Sequence, residues 1–248
     1  MRLISLNTWS GRGGNKELLD FFARYKNMTD IFCLQEVWEG GHEHKDIWGP
    51  NVDPALFTHL NEILPGFVSF FKPHYWNFFG LAIFIKKNIK ILEEGDIFVF
   101  KDREDMFHDD NAVNHARNLE YITIETPKGV RTIANFHGLW NGISKEDTEE
   151  RFSQAENIVR FLAGIKVPHV LCGDFNLLPD SESLKMIQGS HMRNLIKEFG
   201  ITSTRASVYK KPGKFADYIL VSEGINVKDF KVLPDEVSDH LAMQLDFE

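Results

Sequence analysis

The chain has 248 residues, of which 43% are hydrophobic and 26% are charged. These proportions are typical of globular proteins and exclude disordered, collagen-like and coiled-coil chains. A chain of this length can also bury a large core without disulfide bonds. Asp and Glu outnumber Lys and Arg by 36 to 28, which gives a net charge of −8. This balance argues against a generally basic surface for polyanions, although a locally positive groove stays possible.

Three features bear on the compartment. Cys33 and Cys172 each lie within a short apolar run, so we expect buried, reduced thiols and a reducing, cytoplasmic location. The N-terminal segment lacks the apolar core and cleavage site of a signal peptide, and we expect the mature chain to begin at Met1. The most apolar stretch, 67–85, is interrupted by polar residues and a proline, which argues against a membrane span.

Eleven strand-like runs recur along the chain and predict two β-sheets. In chain order they cover 2–6, 31–35, 67–71, 81–86, 97–100, 119–125, 130–136, 168–173, 217–222, 227–233 and 241–247. The sequence contains no internal repeat and no linker rich in Ser, Gly or Pro. We therefore predict one mixed α/β (α+β) domain over residues 1–248.

Helical patterns fall between some of these runs. The clearest begins at Ser144, where Ser144 and Asp147 form a capping box, and it ends near Gly164. A second helix should begin near Asn15. A third should end before Gly200. The apolar stripe of this third helix is Met192, Leu195, Ile196 and Phe199.

Polar residues able to bind a metal or move a proton stand where the apolar runs begin or end. They are Asn7, Glu36, His137, Asp174, Asn176, Asp217, Asp239 and His240. Strand ends suit active sites because the scaffold is rigid there while the side chain still reaches solvent. Each residue alone has a simpler explanation, such as a turn or a helix cap. Together they supply the oxygen ligands that Mg²⁺ prefers.

A different metal cluster is His42-Glu43-His44. In an extended segment, alternation would place both histidines on one side. We interpret this segment as a surface loop, with a zinc site as the alternative, because the chain has no Cys/His pairs at the usual zinc spacing.

Several ordered motifs resemble those of the endonuclease/exonuclease/phosphatase superfamily. They are LNTW at 6–9, LQEV at 34–37, the strand-closing His137, GDFN at 173–176, ADYILVS at 216–222 and SDH at 238–240. Each motif is short, but their order and their span over 6–240 strengthen the match. The resemblance implies a four-layer sandwich of two packed, mostly antiparallel β-sheets flanked by helices, with the site at one end.

The resemblance also implies roles for the residues at the run boundaries. Glu36 would be the principal Mg²⁺ ligand, with Asn7 and Asp239 near the same metal, and Mn²⁺ is a possible substitute. Asp174 would orient or deprotonate the attacking water. Asn176 would hold that water or a phosphate oxygen.

Further roles concern the histidines and an arginine. Asp217 would pair with His240 and fix its tautomer. His137 would contact the phosphate from the other side and help to stabilise its charge. Arg117 resembles an arginine that precedes a mid-chain strand in many relatives and would bind phosphate, although a surface charge is the alternative.

Four more side chains are candidates for contact with the substrate. Trp9 and Trp140 lie close in sequence to Asn7 and His137, and they are expected to bind the substrate by stacking on a base or another flat group. The same aromatic residues would also suit a lipid interface. Arg151 and Gln154 match a pattern of some phosphodiesterases, and an exposed helix face explains them equally well.

From this resemblance we predict an enzyme, a Mg²⁺-dependent phosphodiesterase that is either nuclease-like or sphingomyelinase-like. Its phosphodiester substrate would be a nucleic acid, a phospholipid or a small molecule. The acidic segment 102–110 is expected to be a solvated loop away from the cleft. Two alternatives remain: a phosphomonoesterase acting on a small molecule, and a non-catalytic binding module that keeps the fold. The sequence identifies no protein partner.

Overall fold

The computed structural model describes residues 1–44, 49, 51–105, 114–189 and 191–248. Within these ranges the chain forms twelve β-strands in two sheets of six. The strands are β1 (Arg2–Asn7), β2 (Ile31–Trp38), β3 (Phe67–Tyr75), β4 (Phe79–Lys86), β5 (Lys90–Phe100), β6 (Arg117–Thr126), β7 (Gly129–His137), β8 (His169–Asp174), β9 (Met192–Asn194), β10 (Asp217–Ser222), β11 (Val227–Val232) and β12 (Met243–Phe247).

The first sheet has the strand order β11-β12-β1-β2-β4-β3, and the second has the order β5-β6-β7-β8-β10-β9. Each sheet contains one parallel pair, β1 with β2 and β7 with β8. The other pairs are antiparallel. The expectation of two mostly antiparallel sheets is confirmed. The parallel pairs also bring the carboxyl ends of two neighbouring strands together in each sheet, with Asn7 paired to Gln35 and His137 paired to Asp174.

Five helices flank the sheets among the described residues. They are α1 (Asn15–Tyr25), α2 (Leu56–Ile63), α3 (Glu149–Gly164), α4 (Glu182–Gln188) and α5 (Leu195–Glu198). Apolar side chains of α1 and α2, including Leu18 and Leu56, pack on the first sheet. Ile158 of α3 joins the large core that the two sheets share. The helices therefore cover the sandwich as the resemblance implied.

The core between the sheets includes both cysteines. Cys33 of β2 and Cys172 of β8 are free and fully buried. Burial, together with a hydrogen bond to Cys172, raises the pKa of the Cys33 thiol well above its usual value. A neutral thiol is a small apolar group in this setting.

Two details of the predicted helices are wrong. The long helix begins at Glu149, and its N-cap is Thr148, whose side chain accepts a hydrogen bond from the backbone of Arg151. Asp147 instead accepts hydrogen bonds from the first backbone amides of α4. Met192 belongs to β9, which pairs with β10, so the third helix is only the single turn of α5. Pairing at a sheet edge therefore overrides the helical periodicity there.

The segment with His42 and His44, interpreted from sequence as a surface loop, forms a short 3₁₀ turn with His42 exposed and His44 half-buried. The His44 ring stacks on Phe78, with the ring centroids 4.7 Å apart. Of the acidic segment 102–110, residues 102–105 are exposed and 106–110 lie outside the described residues. No helix in the described part of the chain is long and apolar enough to cross a membrane.

Candidate active site

The polar residues at the strand ends meet at one end of the sandwich. Asn7, at the end of β1, donates from Nδ2 to Glu36 Oε1 at 3.1 Å and to Asp174 Oδ2 at 3.0 Å. One amide therefore joins residues from both sheets. Asp239 lies in the loop before β12 and lines the same pocket as Glu36 and Asp174. We call Asn7, Glu36, Asp174 and Asp239 the acidic floor.

The backbone at Glu36 turns its side chain out of the regular strand pattern. The pairing of β2 with β4 shifts register between Leu34 and Val37, and Glu36 has a left-handed backbone with φ of 55°. Thr8 holds this bulge, because its Oγ1 donates to the Glu36 carbonyl at 3.0 Å. Bulges re-aim side chains in this way next to active sites.

Close backbone contacts fix the ends of β7 and β8. A Cβ atom on Gly173, whose φ is +137°, would lie 2.0 Å from the Phe136 carbonyl oxygen, and one on Gly138 would lie 2.0 Å from that of Phe175. Both positions therefore require glycine. The next turn holds Asn176 at φ of 53°, with its backbone N–H donating to Asp174 Oδ1 at 2.9 Å. A turn, the simpler explanation for these polar residues, is thus present as an Asx-turn, and it also fixes the position of Asp174.

His240 forms a buried dyad with Asp217. Nδ1 of His240 lies 2.8 Å from Asp217 Oδ1, and Thr204 donates to the other carboxylate oxygen at 2.7 Å. A carboxylate can only accept, so Nδ1 carries the proton and Nε2 carries the lone pair. Burial lowers the pKa of His240 to about 4 and raises the pKa of Asp217 to about 6. At neutral pH the imidazole is uncharged and the carboxylate is ionised.

His137 has the opposite tautomer. Arg117 Nη1 lies 3.2 Å from His137 Nδ1, and an arginine can only donate, so the proton is on Nε2. Nε2 lies 3.9 Å from both Glu36 Oε1 and Asp174 Oδ2. Burial, reinforced by the nearby Arg117 charge, lowers the pKa of His137 well below its usual value. The site thus presents one neutral N–H donor, on His137 Nε2, and one imidazole lone pair, on His240 Nε2. His240 Nε2 lies 3.5 Å from Asp174 Oδ2.

The acidic floor fits a hard divalent cation. Its donor atoms are the carboxylate oxygens of Glu36, Asp174 and Asp239, while the Asn7 amide oxygen accepts from the Trp9 backbone N–H at 2.9 Å. Asp239 Oδ1 is buried and accepts no hydrogen bond from the residues that the structure describes. Burial raises the pKa values of Glu36 and Asp239, so the charged forms of both are costly until a cation neutralises them.

A second group with metal-binding atoms is Asp174, Asp217 and His240, whose ligand atoms lie within 4.8 Å of one another. Both oxygens of Asp217 are already engaged by His240 and Thr204. A cation at this group would have to break the dyad. The acidic floor is therefore the better cation site.

The floor opens into a pocket of about 340 Å³. Among the residues singled out from sequence, the pocket lining includes Trp9, Glu36, Arg117, His137, Trp140, Asp174, Asn176, Asp239 and His240. Asn7 and Asp217 lie directly behind it, in hydrogen-bond contact with lining residues.

Arg151 and Gln154 do not line the pocket. Arg151 is buried and donates to the carbonyl oxygens of Ser144, Glu146 and Leu139, while Gln154 accepts from the Leu139 backbone. Neither lies on an exposed helix face, so that interpretation is wrong. Their hydrogen bonds to backbone groups hold the loop 138–147 in place.

The other side of the pocket is basic, and sequence reasoning found only its Trp140. Its residues come from the loops 138–147 and 203–215, and we call them the basic wall: Trp140, Lys145, Arg205, Tyr209 and Lys211. Lys145 Nζ donates to the Phe215 carbonyl at 2.9 Å and so ties the two loops together. The Arg205 guanidinium lies over the Tyr209 ring, 4.2 Å from its centroid. These residues stand in polar loops, where no apolar boundary marks them.

Comparison with known proteins decides the family. The family model described as "Endonuclease/Exonuclease/phosphatase family" matches residues 4–240. The chain belongs to the endonuclease/exonuclease/phosphatase family. The match runs from within β1 to the loop before β12 and contains every residue of the acidic floor. No curated protein sequence matches the chain.

Solved structures of this family share the fold. The mannosyl-6-phosphatase of Bacteroides thetaiotaomicron has a TM-score of 0.73 at 18% identity, over 100% of this chain and 99% of that one. The human Nocturnin catalytic domain with bound sulfate has a TM-score of 0.70 at 22% identity, over 100% and 93%. ANGEL2, a 2′,3′-cyclic phosphatase, in complex with adenosine-2′,3′-vanadate, has a TM-score of 0.68 at 16% identity, over 99% and 94%.

Proposed function

We propose that this protein is a divalent-metal-dependent hydrolase of phosphoester bonds, with Mg²⁺ as the cation and Mn²⁺ as a substitute. The observation that carries the proposal is the convergence of the acidic floor with two neutral histidines of opposite tautomer in one pocket. In the cation site, Glu36 is the principal ligand, with Asn7 and Asp239 beside it. The bound cation would offset charge on the phosphoryl oxygens.

The protein's own residues supply the remaining steps of an in-line attack. Asp174 orients the attacking water, and the lone pair on His240 Nε2 accepts its proton. Asp217 keeps that imidazole in the required tautomer. His137 donates its Nε2–H to a phosphoryl oxygen from the opposite side.

Two further residues bind the phosphate group in this proposal. Arg117 lines the pocket and keeps its charge although burial lowers its pKa to about 10. Asn176 holds the water or a phosphoryl oxygen beside Asp174. Both side chains are buried, so their positions are set before substrate arrives.

For the substrate, we propose a phosphodiester, as the sequence favours, with a phosphomonoester of a small molecule as the alternative. Trp9 and Trp140 line the pocket and suit a flat leaving group. The structurally similar proteins include a mannosyl-6-phosphatase and a 2′,3′-cyclic phosphatase, so both ester classes belong in the test. We also propose one catalytic domain over residues 1–248, in a reducing, cytoplasmic location.

The test is hydrolysis of bis-p-nitrophenyl phosphate, p-nitrophenyl phosphate, single-stranded and duplex DNA, RNA and sphingomyelin, with Mg²⁺ or with EDTA. Turnover that requires the metal and is lost in Asp174→Asn supports the proposal. Absence of turnover on the whole panel, with phosphate still bound, would favour the non-catalytic binding module.

A further inference from the structure

Arg205 stands at the centre of the basic wall, in contact with the reaction site. Its Nη1 lies 3.1 Å from Asp239 Oδ2 and also makes a short contact with His240 Nε2. Its side chain is only 7% exposed. Its Nε is buried and has no hydrogen-bond partner among the residues that the structure describes. The guanidinium therefore reaches the pocket with donor capacity left over.

These contacts occupy the atoms that the proposed reaction uses. A cation beside Asp239 repels a second cation at the acidic floor, because like charges at this distance and burial interact strongly. A donor on His240 Nε2 covers the lone pair that accepts the proton of water. The proposed hydrolysis therefore requires Arg205 to take another partner.

A phosphoryl group is the partner that fits. The planar guanidinium offers a fork of N–H donors that matches phosphate oxygens. The Arg205 guanidinium lies over the Tyr209 ring, 4.2 Å from its centroid, and both residues line the pocket. Arg117 contacts His137 across the same pocket, so the two arginines flank the space above the acidic floor.

We propose that Arg205 is a phosphate-binding residue that rests on Asp239 and His240 in the free protein and transfers to a non-bridging phosphoryl oxygen when substrate binds. The proposal rests on the proposed function of the same site. The transfer releases Asp239 to the cation and uncovers His240 Nε2 in one movement. Substrate binding thus exposes His240 Nε2, the atom that accepts the proton of water, and in the free protein Arg205 covers that atom.

The proposal predicts opposite effects on two ligands. Without Arg205, the acidic floor loses a competing positive charge, so the apparent Kd for Mn²⁺ in the absence of phosphate should fall several-fold. The Kd for inorganic phosphate, measured with Mg²⁺ present, should rise between about 10-fold and 100-fold, because a charge-assisted hydrogen bond is lost. A purely structural arginine would weaken both ligands together.

The experiment uses the full chain and four variants. Mn²⁺ binding is followed by electron paramagnetic resonance and phosphate binding by calorimetry in wild type, Arg205→Met, Arg205→Lys and Tyr209→Leu. Arg193→Met, which removes an exposed arginine paired with Glu198, is the matched control and should leave both Kd values unchanged. Arg205→Lys keeps the charge without the fork, so its phosphate Kd should lie between those of wild type and Arg205→Met.

The outcomes separate this inference from the proposed function. Opposite shifts in Arg205→Met support the phosphate role even if the substrate panel shows no turnover. Unchanged phosphate binding in a folded Arg205→Met protein overturns it, even where wild type hydrolyses the panel. If Arg205→Met fails to fold, Arg205→Lys and Tyr209→Leu decide, and wild-type phosphate affinity in both overturns the proposal.

Discussion

The two sides of the pocket differ in charge, support and origin. The acidic floor stands on β1, β2 and β8 and on the loop before β12, and hydrogen bonds such as that from Asn7 to Asp174 hold it. The basic wall stands on two loops that are joined by the contact of Lys145 with Phe215. In the proposed function, the strands would fix the oxygens of the cation site, and the loops would carry the positive charge that meets the substrate.

The division also concentrates charge in a protein whose net charge is −8. Positive side chains in the pocket attract an anionic substrate locally while the remaining surface repels polyanions. The acidic floor would repel the same substrate until a cation binds. Metal binding should therefore precede or accompany substrate binding.

The largest expected effect comes from the residues of the floor and the dyad. Asp174→Asn and His240→Ala should each lower kcat/KM by about 10³-fold or more, because each removes a group needed only in the transition state. Steady-state assays with Mg²⁺ test this, with circular dichroism as the check of folding. Asp180→Asn, an exposed carboxylate six residues after Asp174 in the chain, is the matched control and should keep full activity. An equal loss of kcat/KM in Asp174→Asn, His240→Ala and Asp180→Asn would indicate that the variants misfold.

The second effect concerns pH on the acid side. Burial raises the pKa of Asp217 to about 6. Above that pH the ionised carboxylate accepts the His240 proton, and below it the protonated carboxyl no longer does. We expect kcat/KM to fall about tenfold per pH unit below pH 6. In Asp217→Asn, kcat/KM should be low at every pH and should no longer fall below pH 6. If the fall below pH 6 is unchanged in this variant, another group causes it.

The third effect is smaller and belongs to the basic wall. Burial lowers the pKa of Lys145 to about 8, so its positive charge is lost as the pH rises through that value. Lys145→Met should raise KM about tenfold with little change in kcat, since the lost attraction acts on bound substrate and transition state alike. In wild type, KM should rise above pH 8, and Lys145→Arg should remove that rise. A fall in kcat without a rise in KM would show that Lys145 acts in the chemical step, like the residues of the acidic floor.

The smallest effect on catalysis should come from the brace under the wall. Arg151→Met removes the hydrogen bonds to the carbonyl groups of loop 138–147, so the free energy of unfolding should fall by about 1–3 kcal/mol. KM should rise slightly while kcat stays near wild type. Urea unfolding and kinetics measure the two effects, and Arg160→Met, exposed on the same helix, is the control. A large loss of kcat would show that the geometry of the acidic floor depends on loop 138–147.

The floor was accessible from sequence because its residues interrupt apolar runs. Asn7 and Asp174, like Asp217 of the dyad, each stand where a buried strand begins or ends, and strand periodicity marks such positions. The eleven predicted runs all correspond to strands of the two sheets. What the resemblance added is the order of the motifs, and the family is confirmed over residues 4–240. The roles of the individual residues stay predictions.

The wall was not accessible because its position is set by tertiary contacts. Lys145 and Arg205 are far apart in sequence and meet only through two irregular loops. The same reason explains the wrong helix start. Ser144 and Asp147 have the spacing of a capping box, but the buried Arg151 binds the carbonyl of Ser144 and holds it in the loop. The short β9 lacked any strand pattern of its own, since three residues are too few for periodicity.

The bulge at Glu36 has a consequence for how the protein can change. Glu36 and Asn176 both have left-handed backbones, as do Trp9 and Ser10 beside them, and each such non-glycine residue costs about 1–2 kcal/mol. Glycine at position 36 would relax the backbone and remove the principal oxygen of the floor at once. If Glu36 holds the proposed cation, selection for stability alone would favour glycine at this position, whereas selection for activity would retain the strained glutamate.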